Sequence, residues 1–380
     1  MSLLLSSPVR NRHHVRVIGE PGVAPAAGAW VDGTTAIFRV PDPGHRLAGV
    51  RLSQDVRIPG DQLDFHRDGD GWRLAVGLPP VKRMVYLLEL RYPDGHTATM
   101  TDPGNPRQAP GAFGPKSVVE FPCYRPPGWL TAPAGAGRDE TFDVPVASLG
   151  DVLPVRTWAP ADAPDDEPLS LLVLHDGPEY DALASFTRYL AAGVAGRWLP
   201  RLRAALLSPG PRDRWYSANT RYARALAGAV LPALARRVAT TTRIGMGASL
   251  GGLAMLHAYC RDPDAFDGLF LQSGSFFSPR FDAHERRFPY YQRVVRFVAG
   301  VDGGADDGAQ SGILPDRRVP VVLTCGAIEE NVENNRLMER ALRARGYPAE
   351  LTEVPDMHNY TAWRDAFHPH LTRLVRQVCG

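Results

Sequence analysis

The sequence predicts two domains of different class, an all-β sandwich followed by a larger α/β domain with a mostly parallel sheet. Three observations support this prediction. Short runs of alternating polar and apolar residues fill most of the first third of the 380-residue chain. A stretch rich in proline, glycine and alanine follows them. Beyond it, short apolar runs alternate with helix-length amphipathic segments, the pattern of a parallel sheet with crossover helices.

The first domain is predicted from strand-like runs such as 35–40 and 72–76, in which polar and apolar residues alternate. Turn sequences separate the runs, including Pro-Asp-Pro-Gly at 41–44 and Asp-Gly-Asp-Gly at 68–71. Short strands at this spacing are typical of a β-sandwich. We therefore assign residues 1–125 to a sandwich domain.

The rest of the chain divides into a linker at 126–138 and an α/β domain at 139–380. The linker has no apolar period and is built of small residues and prolines. In the second domain, apolar runs such as 171–174 predict strands buried on both faces. The Gly- and Asp-rich segment 300–312 is predicted to be a floppy insertion rather than a lid, because it has no apolar residue placed to close over a pocket.

The charge and cysteine content exclude several classes of function. Lys and Arg total 43 against 41 Asp and Glu, a formal net charge of +2, which disfavours a nucleic-acid partner. Only Lys82 and Lys116 are lysines, so nearly all the positive charge is arginine. No apolar run reaches the length of a membrane-spanning helix, and we expect a soluble, cytoplasmic protein with no membrane partner. The four cysteines are far apart in sequence, so no metal site, disulfide framework or cofactor is expected, and the oligomeric state is left open.

Ser249 is the candidate nucleophile. It lies in Gly247-Ala248-Ser249-Leu250-Gly251, which fits G-x-S-x-G, a pattern whose small residues allow a sharp strand-to-helix turn that exposes the serine hydroxyl. A short strand-like run precedes the motif and an amphipathic helix follows it. A serine in this setting predicts nucleophilic catalysis through an acyl-enzyme.

His358 is the candidate general base. A serine hydroxyl needs an imidazole to take its proton, and in this fold type the histidine follows the nucleophile in the chain. His358 lies in a polar turn after a strand-like run and before the last helical segment, where the base is expected. The other histidines downstream of Ser249 fit packing or surface positions better: His257, His284, His368 and His370.

A carboxylate should orient the imidazole, and Glu329 is the first choice because it follows a buried-type strand ending near Gly326. Glu330 and Glu333 remain open, since a loop shift of one residue decides which side chain turns inward.

The oxyanion hole requires two backbone N–H donors. Leu250, directly after the nucleophile, is the first. The second should come from the loop that starts at His175, and because Pro178 has no N–H the choice lies between Gly177 and Glu179.

Several stretches of the second domain resemble the esterase D and enterochelin esterase group of serine hydrolases. The match covers nearly the whole chain, since the first domain is similar to the immunoglobulin-like (E-set) domain of ferric enterobactin esterases. Its most specific part is a histidine followed five and six residues later by Trp363 and Arg364. The stretches are 173–177, 214–217, 245–252, 271–276, 326–331 with 335–336, and 358–364.

The resemblance implies an α/β-hydrolase fold for the second domain and hydrolysis of the trilactone backbone of a catecholate siderophore. Iron would then arrive as part of the substrate. Arg214, Trp363 and Arg364 become candidate substrate contacts, with Arg212 and Arg221 as further arginines that the fold would bring near the pocket. The resemblance also leaves open whether a Ser-His dyad suffices without Glu329.

Three alternatives share part of this pattern. A feruloyl or acetyl carbohydrate esterase would use the same nucleophile, and an acyltransferase would pass the acyl group to an alcohol instead of water. From another class, the protein could be a binding module in which Ser249 and His358 have no catalytic role.

Overall fold

The computed structural model describes residues 25–56, 58–303 and 313–380. Most of the segment 300–312, predicted to be a floppy insertion, lies outside the described residues. Two antiparallel sheets precede a third, larger sheet of mixed direction.

The first two sheets form the predicted sandwich. In one sheet the order is β1-β2-β5-β4; in the other it is β3-β6-β9-β8, with β7 beside β6. Every pairing in both sheets is antiparallel. The strands are β1 Gly28–Asp32, β2 Thr35–Pro41, β3 Gly49–Gln54, β4 His66–Asp68, β5 Gly71–Gly77, β6 Arg83–Arg91, β7 Thr97–Met100, β8 Gln108–Ala109 and β9 Lys116–Glu120.

The alternation seen in the sequence explains how the two sheets pack. Phe38 on β2 is fully buried and places its ring edge-on to Tyr86 on β6, with 5.0 Å between the ring centroids. The Tyr86 hydroxyl donates to Asp102 Oδ2 at 2.7 Å, so the one polar atom of this buried side chain is satisfied. Leu52 on β3 and Leu74 on β5 complete the same core cluster.

The large sheet has the order β10-β11-β13-β12-β14-β15-β16-β17. β10, β11 and β13 pair antiparallel, and from β13 onward all pairings are parallel. The strands are β10 Gly137–Val146, β11 Asp151–Pro160, β12 Leu169–Leu174, β13 Leu202–Leu207, β14 Thr240–Ala248, β15 Gly268–Gln272, β16 Val321–Gly326 and β17 Ala349–Val354.

Helices cover both faces of this sheet, and a hydrophobic core lies on each side of it. Strands β12 and β13 are therefore buried along their whole length, as the apolar run at 171–174 predicts for β12. The helices are α1 Gly177–Ala184, α2 Phe186–Ala195, α3 Arg212–Tyr216, α4 Thr220–Ala225, α5 Leu231–Ala235, α6 Leu250–Arg261, α7 Tyr291–Asp302, α8 Val332–Ala344, α9 Tyr360–Asp365 and α10 Thr372–Cys379. Within the described ranges, no helix combines the length and the apolar character needed to cross a membrane.

The proline- and glycine-rich stretch between the sheets packs against the large domain. A single 3-10 turn, Gly128–Leu130, carries Trp129, which is 5% exposed. The indole meets the Tyr189 ring edge-on at 5.4 Å and stacks on Phe367 at 6.2 Å. A buried aromatic ring thus helps to dock a segment that otherwise has linker composition, together with the packing of Leu130 and Ala132 on the same core. The exact domain limits, at 125 and 138, stay a prediction.

Candidate active site

Five chain segments leave the large sheet at one edge, and four of them carry predicted catalytic or oxyanion residues. They follow β12, β14, β15, β16 and β17, which are consecutive neighbours in the sheet and all parallel. Because the carboxyl ends of parallel strands share one edge, residues far apart in sequence meet there.

Ser249 lies at a strained turn between β14 and α6. Its backbone angles, φ 56° and ψ −126°, are rare for any residue other than glycine. The turn is possible because Gly247 has no side chain: a Cβ there would lie 2.5 Å from the Gly251 carbonyl carbon. α6 begins at the next residue, so the serine stands at its N-terminus. This is the geometry that G-x-S-x-G predicts for an exposed nucleophile.

The Ser249 hydroxyl is partly exposed, whereas Ala248 and Leu250 on either side are buried. Ser249 Oγ lies 3.1 Å from Ser275 Oγ, a hydrogen bond in which either atom can donate. Among the described residues, this is the one side-chain hydrogen bond that Ser249 makes, and none joins it to His358. Catalytic hydrogen bonds are often long or poorly aligned without substrate, so a structure without this bond is compatible with His358 as the general base.

His358 and Glu329 form the second half of the site. His358 Nδ1 lies 3.5 Å from Glu329 Oε2. The glutamate is 1% exposed, whereas the histidine side chain is 34% exposed. A carboxylate facing Nδ1 favours the tautomer in which Nε2 is free to accept a proton, as a general base requires.

Glu329 is held by a small buried network. Its Oε2 accepts from Ser273 Oγ at 3.1 Å and its Oε1 from Cys325 Sγ at 2.7 Å. Burial, together with the neighbouring Glu329 carboxylate, raises the pKa of the Cys325 thiol well above its usual range, so the thiol remains a donor. Trp363 Nε1 in turn donates to Ser273 Oγ at 3.0 Å, and the indole packs edge-on against the His358 ring at 5.1 Å. The sequence did not point to Ser273 or Cys325 as partners of the glutamate.

The other carboxylates that the sequence left open lie elsewhere. Glu330 is 58% exposed and faces His284 at 3.2 Å. Glu333 pairs with Arg336 on the first turns of α8. Glu330, His284 and Glu285 form one group of possible metal ligands within the described chain, but such groups are common on protein surfaces without a metal.

His257 is buried on α6, where its ring meets Phe297 edge-on at 4.9 Å. Burial lowers the pKa of His257 to about 4, so it is neutral and serves packing. His368 and His370 lie in the π-helical turn before α10 and contact Thr372 and Thr352. Of the candidate histidines, His358 is the one that the fold places beside a buried carboxylate.

The predicted oxyanion donors lie at two adjacent helix starts. Leu250 begins α6 and Gly177 begins α1, and the strands that lead to them, β14 and β12, are paired. A Cβ on Gly177 would lie 2.3 Å from Leu206 Cα, so only glycine fits at the start of α1. Glu179 is in the same first turn, and burial raises the pKa of its carboxyl group. Gly177 and Glu179 both stay predictions for the second donor.

Arg212 binds Asp176 rather than standing free in the pocket. Asp176, in a left-handed conformation with φ 51°, immediately precedes α1 and is buried. The Arg212 guanidinium holds it with Nε at 2.9 Å from Oδ1 and Nη2 at 2.8 Å from Oδ2. This forked ion pair ties α3 to the turn that carries Gly177.

The other predicted substrate contacts are spread over different surfaces. Arg214 and Arg221 expose their side chains on α3 and α4. Arg364 Nη2 instead donates to the Tyr124 hydroxyl at 3.0 Å, and its Nε donates to Asp365 at 2.8 Å, so its guanidinium faces the segment after β9. Trp363 is 7% exposed and holds Ser273, as described above.

A cleft of about 510 Å³ lies between the sandwich and the loop that carries Glu329. One wall is formed by the segment after β3 and by the end of β5, and the other by the loop before α8 and the start of α8. The N-terminal domain therefore borders the catalytic edge of the large sheet.

The second domain matches the family model named Esterase, described as "Putative esterase", over residues 147–374. The chain belongs to this esterase family. The match spans the serine, the glutamate and the histidine, and it makes this chain a carboxylic ester hydrolase rather than a binding module. A search of curated protein sequences gives no match.

Solved structures show that the fold of this esterase recurs over nearly the whole chain. An enterobactin esterase from Shigella flexneri superposes with a TM-score of 0.70 at 19% identity, covering 91% of this chain and 94% of that one. A ferric enterobactin esterase from Salmonella typhimurium gives 0.70 at 20% identity, with 90% and 93% covered. A ferulic acid esterase gives 0.53 at 15% identity and covers 65% of this chain and 100% of its own. The predicted fold, an α/β hydrolase preceded by a sandwich, is confirmed.

Proposed function

We propose that this esterase is a serine hydrolase that cleaves the lactone esters of a catecholate siderophore, with Ser249 as nucleophile, His358 as general base and Glu329 as the residue that orients the histidine. The observation that carries the substrate class is the sandwich, which borders the catalytic edge and has a counterpart in the enterobactin esterases. One of those was solved in the presence of enterobactin.

The proposed reaction assigns one part to each of these three side chains. Ser249 Oγ attacks the ester carbonyl carbon while its proton passes to His358 Nε2, and the N–H groups of Leu250 and of Gly177 or Glu179 bind the negative oxygen. His358 then gives that proton to the leaving alcohol oxygen, which leaves an acyl group on Ser249. A water molecule, deprotonated by His358, releases the acid and restores the serine hydroxyl.

The proposed substrate is large and negatively charged. A trilactone carries three aromatic arms, and the cleft beside Glu329 is the proposed surface for one of them. Arg214 and Arg221, both exposed, are the proposed contacts for its negative charge, because Arg212 and Arg364 are occupied by Asp176 and Asp365. The described cysteines are free thiols, which suits the proposed cytoplasmic location.

Feruloyl ester hydrolysis is the second candidate, because a ferulic acid esterase shares the fold of the second domain. A panel of substrates separates the two: a ferric trilactone siderophore, the same trilactone without iron, a feruloyl sugar ester and p-nitrophenyl acetate. We expect kcat/KM to be highest for the trilactones. Activity on feruloyl sugars alone would overturn the siderophore proposal and leave the serine mechanism in place.

A further inference from the structure

We propose that Arg83, which lies in the N-terminal sandwich, is a positioning residue that holds the loop of the catalytic histidine in its working place. This inference rests on the proposed function, in which His358 is the general base. It assigns the sandwich a part in the chemistry of the second domain, beyond any contact with substrate.

Arg83 reaches the histidine loop from the start of β6. Its Nε lies 2.8 Å from Asp356 Oδ2, and its Nη2 donates to Asn359 Oδ1 at 2.6 Å. These partners stand two residues before and one residue after His358. The backbone adds a third contact, since Lys82 N–H donates to the Pro355 carbonyl at 2.8 Å. The sandwich therefore contacts the loop on both sides of His358.

The contact between Arg83 and Asp356 is buried, so its loss should be costly. The side chains of Arg83 and Asp356 are 2% and 9% exposed. An arginine that has lost its water at such a site needs an anion, and Asp356 is the carboxylate in contact with it. Burial raises the pKa of Asp356, and the Arg83 charge works against that shift. If either side chain moved away, the other would remain as an uncompensated charge in the protein interior.

Asn359 connects Arg83 to α9, the helix that follows the histidine. The same Oδ1 atom that accepts from Arg83 also accepts from the Ala362 N–H at 3.0 Å, which caps α9. α9 carries Trp363, whose indole supports both the His358 ring and Ser273. Arg83 is thus linked through one acceptor to the group that fixes the orientation of the imidazole.

Apolar contacts anchor both catalytic loops to the same domain. Met357, directly before His358, is 5% exposed and belongs to the hydrophobic core cluster of the sandwich. Ile328, directly before Glu329, packs against the same cluster. His358 and Glu329, 3.5 Å apart, are therefore both carried by loops that pack on the sandwich core. Arg83 adds polar contacts to this packing.

The test compares Arg83→Met, Arg83→Lys and a matched control, Arg91→Met, in the full chain. Arg91 lies at the other end of β6, is 43% exposed and pairs with Glu89 and Asp64. With p-nitrophenyl acetate as substrate, we expect R83M to lower kcat roughly 10- to 100-fold with KM within about threefold of wild type, because misplacing a catalytic group by about 1 Å can cost that much. R83K keeps the cation beside Asp356 but lacks the guanidinium geometry that also reaches Asn359. Its kcat should therefore fall between those of R83M and wild type.

R91M should keep the wild-type kcat and KM. The melting temperature of each variant shows that folded enzyme is being compared. Should R83M fail to fold, R83K decides: a kcat at least about threefold below wild type at unchanged KM supports the proposal. A wild-type kcat in folded R83M, or in R83K if only that variant folds, would overturn it. An inactive wild-type enzyme that also resists fluorophosphonates would instead refute the proposed function, so the two failures are distinguishable.

Discussion

Glu329 is the residue on which the catalytic assignment of His358 depends. Its carboxylate is buried, accepts from Ser273 and Cys325, and faces His358 Nδ1 at 3.5 Å. Because three neighbours contact this buried carboxylate, its position as an acceptor is fixed. We therefore expect it to hold the imidazole in the tautomer that leaves Nε2 free.

Replacing Glu329 by glutamine should lower kcat by roughly 10²- to 10⁴-fold, because an amide can hold the wrong imidazole tautomer. Steady-state kinetics with p-nitrophenyl acetate measure this, and KM should change little. Glu333→Gln, on the first turn of α8 and paired with Arg336 at the surface, is the matched control and should keep wild-type kcat. Equal activity of the two variants would mean that a Ser-His dyad suffices.

Gly247 shows how a single atom can decide the strand-to-helix turn. A Cβ at this position would come within 2.5 Å of the Gly251 backbone, and backbone cannot move aside as a flexible side chain can. Gly247→Ala should therefore lower the free energy of unfolding by about 1–3 kcal/mol, as overpacking of a tight core does, and it should also lower kcat. Urea unfolding measures the first effect. Gly228→Ala is the control, since nothing lies within 4 Å of a Cβ there.

At the scale of whole elements, α3 and the start of α1 are joined by the Arg212–Asp176 pair. Asp176 is 3% exposed, so removal of its cation leaves a buried charge. Arg212→Met should destabilise the protein by about 2–3 kcal/mol, less than a fully buried pair would lose because Arg212 is one-third exposed. Arg214→Met, an exposed neighbour on the same helix, should leave stability unchanged.

Chemical denaturation of R212M and R214M gives both values. Kinetics with an anionic siderophore and with neutral p-nitrophenyl acetate then separate structure from substrate binding. If R212M keeps wild-type stability but raises KM for the anionic substrate alone, Arg212 contacts substrate and the ion-pair account is wrong.

The packing of β12 and α6 buries two histidines whose titration should affect stability. Burial lowers the pKa of His175 to about 4 and that of His257 also to about 4. In the unfolded chain each has a pKa of about 6.5, so between these values the unfolded state binds more protons. The free energy of unfolding should therefore be constant with respect to these groups above pH 6.5 and fall as the pH drops toward 4.

Each histidine should contribute up to about 3 kcal/mol to this loss, because its pKa is about 6.5 in the unfolded chain and about 4 in the folded protein. Urea unfolding at several pH values measures the slope. His257→Leu should make it shallower between pH 6.5 and 4, whereas His96→Gln, at an exposed turn, should not. An unchanged slope in H257L would contradict the assignment of a neutral, buried His257.

Local sequence was sufficient to predict the parts of the site that depend on turns. Ser249 and His358 could be proposed as candidates because a preceding strand and a following helix, with small residues around the serine, leave a pattern within a dozen positions. Ser275, Ser273 and Cys325 could not, because each is an ordinary small residue whose role comes from the strand beside it. Arg212 was predicted to be an anion contact, and its partner is a protein carboxylate that only the folded sheet brings near.

The whole molecule adds a relation that no local pattern holds. Arg83 and Asn359 are 276 positions apart, yet they share a hydrogen bond at the boundary between the two domains. The sequence predicted both domains and their order, but the contact depends on how the sandwich docks on the large sheet. Trp129 illustrates the same limit, since its ring is buried against the large domain although the segment around it has linker composition.

Active-site labelling decides whether Ser249 forms the covalent intermediate. The full chain is treated with a fluorophosphonate, digested and analysed by mass spectrometry, beside Ser249→Ala and a matched Ser275→Ala variant. We expect one adduct on the peptide that contains Ser249, none in S249A with the melting temperature unchanged, and labelling at Ser249 retained in S275A. An adduct on another serine, or ester hydrolysis at wild-type rate by S249A, would contradict the account.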